Sequence, residues 1–108
     1  MSDMIVITSE HIAGYKITET LGNVFGQTTR SRNIISDIGQ GLKSIVGGEI
    51  KGYTRLQYDA RQEAVNRMRD TAEQLGAHAI IMFRFDTTSG QLGESVAAYG
   101  TAVKIEKS

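Results

Sequence analysis

The sequence predicts an α+β fold in two layers. Two helices are expected on one face of a mostly antiparallel sheet, with an N-terminal β-hairpin before them and a C-terminal β-hairpin after them. Three observations predict it. Short β-branched and alternating runs occupy the first thirty residues. Two stretches with helical spacing fill the middle, and two alternating runs separated by a short turn close the chain. The length of 108 residues fits one domain spanning 1–108.

Met4–Thr8 is β-branched and bounded by polar residues, which predicts a short strand. Ser9 to Tyr15 contains Gly14 and reads as a turn. Lys16 to Thr29 alternates loosely, with Ile17, Glu19 and Leu21 set against Thr18 and Thr20. Gly22 and Gly26 interrupt that run, as in a strand with a bend or bulge.

Asn33 is a helix N-cap candidate. Ile34, Ile35, Ile38, Leu42, Ile45 and Val46 follow at helical spacing. Gly39 and Gly41 lie inside this helix, as where another backbone approaches. Gly47-Gly48 stops it, and one of the two is expected at positive φ.

The second helix is expected over Tyr53–Leu75. Tyr53, Leu56, Ala60, Ala64, Met68, Ala72 and Leu75 line one stripe, and most charged residues lie elsewhere. Arg55 with Asp59 and Glu63 with Arg67 stand at the spacing of helical ion pairs. The stripe is rich in Ala, so this helix can sit close to a sheet. Gly76 ends it.

Ala77–Thr87 reads as a strand. Ala79, Ile81, Phe83 and Phe85 are expected on its core face, and His78, Ile80, Met82, Arg84 and Asp86 on a half-covered face. Thr88 to Gly93 is a turn. Ser95 to Glu106 is the last strand, and both of its alternating sets are apolar or small. A strand with two such faces needs cover on both sides, which a chain of this size does not readily supply. Self-association is the expected remedy.

Composition excludes several classes. Twelve Lys+Arg balance twelve Asp+Glu, so nothing points to nucleic acid. No Cys is present, which removes disulfides and thiolate metal ligands. The apolar run at the N-terminus is too short for a signal peptide, and no segment has the apolar length of a membrane span. A cytoplasmic protein without membrane partners is the expectation.

No catalytic constellation stands out, and the chain reads as a non-enzyme. His11 and His78 lack the spacing of paired metal ligands. His11 reads as a solvated turn residue, and His78 as a strand residue at solvent or an interface. A symmetric ring could still multiply one His or Glu around its axis. Asp37 and Glu49 straddle the glycine corner, but pairing carboxylates in a cleft needs the fold. The corner leads into a helix N-terminus, which favours anions. Gly47, Gly48, Glu49, Lys51 and Tyr53 are therefore the candidate ligand-binding residues, within a corner running to Thr54. The P-loop spacing is absent. Arg55, Arg61, Arg67 and Arg69 are interleaved with acids and read as a solvated helix face.

The segments VGGEIKGYT, ARQEAVNRM, LGAHAI, RFDTTS and AYGTAV, in that order, resemble the YbjQ-like family of small bacterial and archaeal proteins. The resemblance covers nearly the whole chain. It implies an α/β subunit similar to that of dodecin, assembly into homopentameric rings, and the heavy-metal-binding description that many members carry. Asp37, Gly47, Gly48, Glu49, Gly52 and Tyr53 match the family's helix-corner-helix motif. Gly76 and Ala77 match its helix-to-strand turn, and Gly100 and Thr101 its last strand. His78 stands where members often have Asn. The resemblance brings no metal ligands with it, and the cofactor is left unknown. The partners implied are further copies of the chain, with room for a metal ion or small ligand.

Overall fold

The computed structural model describes residues 4–31, 51–90 and 93–108. Their elements run β1 (Ile5–Val6), β2 (Tyr15–Ser31), α1 (Lys51–Gln74), β3 (Ala79–Ser89) and β4 (Gly93–Lys107). The strands form one sheet in the order β1-β3-β4-β2. The sheet is mixed: β1 runs parallel to β3, whereas β3–β4 and β4–β2 are antiparallel.

The fold remains α+β, but the expected architecture is corrected. Among the described residues there is one helix, not two. The expected helix from Ile34 to Val46, and the corner at Gly47-Gly48, lie outside the described residues. The N-terminal hairpin does not form. β2 pairs with β4 from Tyr15↔Lys107 to Ser31↔Gly93, and β1 pairs with β3 through Ile5↔Ala79 and Val6↔Ile80. The physical reason is one of length. A two-residue β1 could offer β2 only a short local ladder, whereas β4 offers a partner along the whole strand. The C-terminal antiparallel pairing of β3 with β4 is as expected.

α1 covers one face of the sheet. Ala60, Ala64, Met68 and Ala72, one turn apart, are buried, and Leu56 is half-buried. These are the predicted stripe. Leu75 is exposed instead, because the helix has already ended. Gly76 at φ 81° closes it: its N–H donates to the Glu73 carbonyl, and the Ala77 N–H donates to the Ala72 carbonyl. That pair of bonds is the Schellman stop, which needs a left-handed residue at its corner.

The helix meets β2 at Gly26. A Cβ there would overlap the Ala64 carbonyl oxygen and the Met68 amide nitrogen. Gly26 thus marks a close approach of backbones. The predicted bulge falls at Gly22, where the register slips between Thr20 and Gly22, and a further slip lies between Ile17 and Glu19.

A second irregularity corrects the faces of β3. The register with β4 slips between Ile81 and Arg84, and Met82 stands at φ 55°. One extra residue reverses the alternation beyond it. Before the slip, Ile80 faces the helix, while Ala79 and Ile81 face the opposite side. After it, Phe83 packs against the helix-side core and Phe85 meets Arg61 of α1. The four residues expected on one face are therefore split between two. Residues beyond β1 satisfy the freed backbone: the Met82 and Phe83 N–H groups donate to the Ser9 and Ile7 carbonyls.

Among the described residues, the far face of the sheet is covered at one end. Ile5, Ile7 and Ile12 pack there on Ala79, Ile81, Val103 and Ile105. At the other end Phe25, Met82 and Tyr99 are left 60%, 40% and 38% exposed. The long β2–β4 ladder draws the molecule out to 53 × 28 × 22 Å.

Candidate functional site

The Gly26 contact holds the middle of α1 close to the sheet. Toward the helix start a gap lies between helix and sheet. The gap is a small open cleft of about 70 Å³. From the helix it is lined by Leu56, Gln57, Ala60 and Arg61, and from the sheet by Arg30, Thr87, Glu94 and Val96. Strand pairing sets the sheet side: Arg30 is opposite Glu94, and Thr87 is opposite Val96. Leu56, Ala60 and Val96 make an apolar floor, and the two arginines and Glu94 supply charge.

The arginines are held differently. Arg30 Nη1 donates to Thr28 Oγ1 at 3.2 Å and lies 3.3 Å from Glu63 Oε1. Thr28 is a buried polar residue, and its hydroxyl donates to the same Glu63 oxygen. Arg67 completes the cluster, with Nη2 3.3 Å from Glu63 and Nη1 2.6 Å from the Gln27 carbonyl. The Thr28 hydroxyl, then the two guanidinium charges, hold the Glu63 carboxyl below the usual glutamate range, against the opposing effect of desolvation. Arg61 is positioned by an aromatic face instead. Its guanidinium carbon stands 5.5 Å from the centre of the Phe85 ring, which Phe83 meets edge-on at 4.9 Å. Arg61 makes no hydrogen bond or ion pair with a described residue.

The Glu63–Arg67 pair expected from the sequence forms, whereas Arg55 and Asp59 do not come within ion-pair distance of each other. Arg61 and Arg67 are more than members of a solvated face. Periodicity places Arg61 beside Ala60 on the edge of the stripe, which was the available clue. Arg30 carried no clue, since only the β2–β4 register brings it to Glu94.

The other candidates fall elsewhere. Gly47, Gly48 and Glu49 lie outside the described residues, as does Asp37. Lys51 and Tyr53 fall in the first turn of α1, one turn before Leu56 and Gln57 of the cleft. His11 is exposed, 3.8 Å from the Glu10 carboxylate. His78 Nδ1 lies 3.1 Å from the Ile105 amide nitrogen and 3.2 Å from its carbonyl oxygen. One ring nitrogen serves one of these at a time, according to tautomer. In either state the ring ties β3 to β4. No group of three or more His, Cys, Asp or Glu able to hold a metal ion occurs among the described residues. None of the described helices is long and apolar enough to cross a membrane.

Known proteins match the chain end to end. A family model for YbjQ proteins, described as "Putative heavy-metal-binding", matches residues 4–106. A UPF0145 protein of Lactococcus lactis subsp. cremoris strain MG1363 is 55% identical over 107 residues, covering 99% of each chain. A UPF0145 protein of Oenococcus oeni is 52% identical over 104 residues, covering 96% of this chain and 99% of its own. A crystal structure of a DUF74-family protein of unknown function from Pediococcus pentosaceus aligns with a TM-score of 0.56. It covers 95% of this chain and 98% of its own at 18% identity, a likeness of fold.

The metal description and the donor set disagree. A soft-metal site takes three or four converging thiolate, imidazole or carboxylate ligands. The sequence has no Cys and two His; His11 is exposed beside Glu10, and His78 is engaged by the Ile105 backbone. The described residues of a single chain do not fit such a site.

Proposed function

The chain belongs to the YbjQ family, and on that premise we propose that it is a non-catalytic, cytoplasmic subunit that closes into a homo-oligomeric ring. The observation that carries this reading is the end of the sheet where Phe25, Met82 and Tyr99 are exposed. Phe25 and Tyr99 lie side by side with ring centres 6.3 Å apart, and Met82 borders the same hollow. Large apolar groups grouped on one open face favour a protein partner. The radius of gyration of 16.9 Å points the same way. A compact chain of a hundred residues has about 13 Å, so this subunit leaves much surface for neighbours. The ring number of five follows from the resemblance. The non-catalytic part rests on the sequence, which offers no nucleophile or acid–base arrangement. A metal bound by this protein would need ligands beyond the described residues of one chain, as a ring sharing ligands between copies would supply.

Light scattering on eluting protein, with elemental analysis of the same peak, tests this reading. The parent should elute as a closed oligomer and Phe25→Glu as a smaller species. A monomeric parent at micromolar concentration would end the ring proposal. A stoichiometric metal that stays with a monomeric variant would end the shared-ligand proposal. Recovery of the protein outside the cytoplasm on cell fractionation would remove that placement, and turnover of a substrate by the purified ring would remove the non-catalytic part.

A further inference from the structure

We infer that the ring closes through its sheet edges, the β2 edge of one copy pairing in parallel with the β3 edge of the next. The inference rests on the ring reading and states how the subunits join. The order β1-β3-β4-β2 leaves β2 along one edge of the sheet. On the other side β1 pairs with β3 at Ala79 and Ile80, and the chain just after β1 reaches Met82 and Phe83. Beyond them, residues 84–89 of β3 form the edge.

Strand alternation identifies the outward groups. Gly90 and Gly93 exchange both backbone hydrogen bonds at the β3–β4 turn. In an antiparallel ladder such pairs recur at every second residue, so Thr88 bonds Ser95, Asp86 bonds Ala97 and Arg84 bonds Tyr99. The N–H groups of Phe85, Thr87 and Ser89 therefore point away from β4. By the same count Val96 and Ala98 bond to β2, and Phe25, Gln27 and Thr29 point outward. The Gln27 carbonyl agrees, since it accepts from Arg67 of the helix. Among the described residues, neither row of N–H groups has a partner on its outer side. Open edges pair with further strands unless features such as Pro or Lys block them. The sequence has no Pro, and neither 24–30 nor 84–89 contains Lys.

A second copy fits these edges for three reasons. Each chain carries one edge of each kind, so head-to-tail pairing uses both and can close. β2 and β3 both run antiparallel to β4, hence in the same direction. Rotation about a ring axis lying along the strands keeps that direction, which makes the joint parallel. Phe25 on β2 and Met82 on β3 are exposed at opposite borders of one hollow face. The joint brings that apolar face of one copy against the same face of the next.

Hydrogen exchange and light scattering test the joint. In the assembled parent the Phe85, Thr87 and Ser89 amides should exchange slowly. In Phe25→Glu that protection should be lost, while Asp86 and Thr88 stay protected by β4. Thr87→Pro removes one outward N–H and leaves the β4 ladder intact, as an edge strand allows. It should dissociate at a protein concentration about tenfold higher than the parent, the effect of one lost interface hydrogen bond and its unpaired carbonyl. Thr87→Val keeps the N–H and should assemble as the parent does. Melting curves establish that the variants are folded, and exchange in the parent decides the matter if Thr87→Pro is not. Equal assembly by Thr87→Pro and parent removes the joint and leaves the ring, whereas a monomeric parent removes both. Slow exchange of the same amides in a monomeric Phe25→Glu would place their partner within the chain and overturn the inference. So would protection of the β2 amides alone, the mark of a two-fold joint of β2 with β2.

Discussion

The two faces of the sheet are built from alternate residues of the same strands, yet they carry opposite side chains. Toward the helix, β4 presents Val96, Ala98, Gly100 and Ala102, and β2 presents Val24, Gly26 and Thr28, all buried. Away from it, their neighbours Tyr99 and Phe25 stay exposed. Large groups therefore stand where no described residue packs over them, and small ones where a backbone comes close. Side-chain size records how near the neighbouring layer comes. On the helix side that layer is α1, close enough to exclude even a methyl group at Gly26. Among the described residues, the other side is covered by the isoleucines around β1, at one end.

The sharpest way to break this contrast is Gly26→Ala. The new methyl would meet the helix backbone, which cannot turn aside as a side chain could. We expect a loss of about 3 kcal/mol, at the upper end for overpacking, read from the midpoint of chemical denaturation. Parent-like stability would mean that α1 and β2 are not in close contact at that point.

Met68→Ala tests the covered face from the helix. Met68 is the largest of the fully buried side chains on α1, in a stripe whose other buried members are Ala60, Ala64 and Ala72. Its truncation leaves a cavity with few neighbours able to fill it. The expected cost is about 3 kcal/mol, again from denaturation. A loss of less than about 1 kcal/mol, well below that range, would show that the layer can collapse onto the gap.

The smallest effect is expected at the border of the covered face, where Glu63 meets Thr28, Arg30 and Arg67. The folded protein holds this carboxyl below its ordinary value. A group depressed on folding contributes stability above its unfolded pKa and loses it as pH falls through its folded one. Melting of the parent relative to Glu63→Gln should therefore favour the parent at pH 7. The advantage should shrink below about pH 4.5, where an unfolded glutamate takes up its proton. The group is partly solvated, so only the direction is specified. An advantage that grows on acidification would contradict the cluster.

Much of the covered face was legible in the sequence. Ala60, Ala64, Met68 and Ala72 declare a helix stripe by spacing alone, and their small size declares close approach. Gly76 declares the helix end, and the alternation of β4 separates its two faces. These features depend on local periodicity and backbone preference, which act within a few residues. The segments carrying the family resemblance were legible in the same way.

Three things were decided by tertiary structure. The partner of β2 was set by competition between a short local hairpin and a long distant ladder, which local pattern does not weigh. The split of Ala79 and Ile81 from Phe83 and Phe85 followed from one extra residue at Met82, accommodated because the segment after β1 supplies carbonyls to its freed N–H groups. The cleft joins Arg30 of β2, Arg61 of α1, Thr87 of β3 and Glu94 of β4. Residue types and local periods belong to the sequence by itself. Which charges meet depends on strand register and on how closely the helix lies, and both are fixed only when the layers pack.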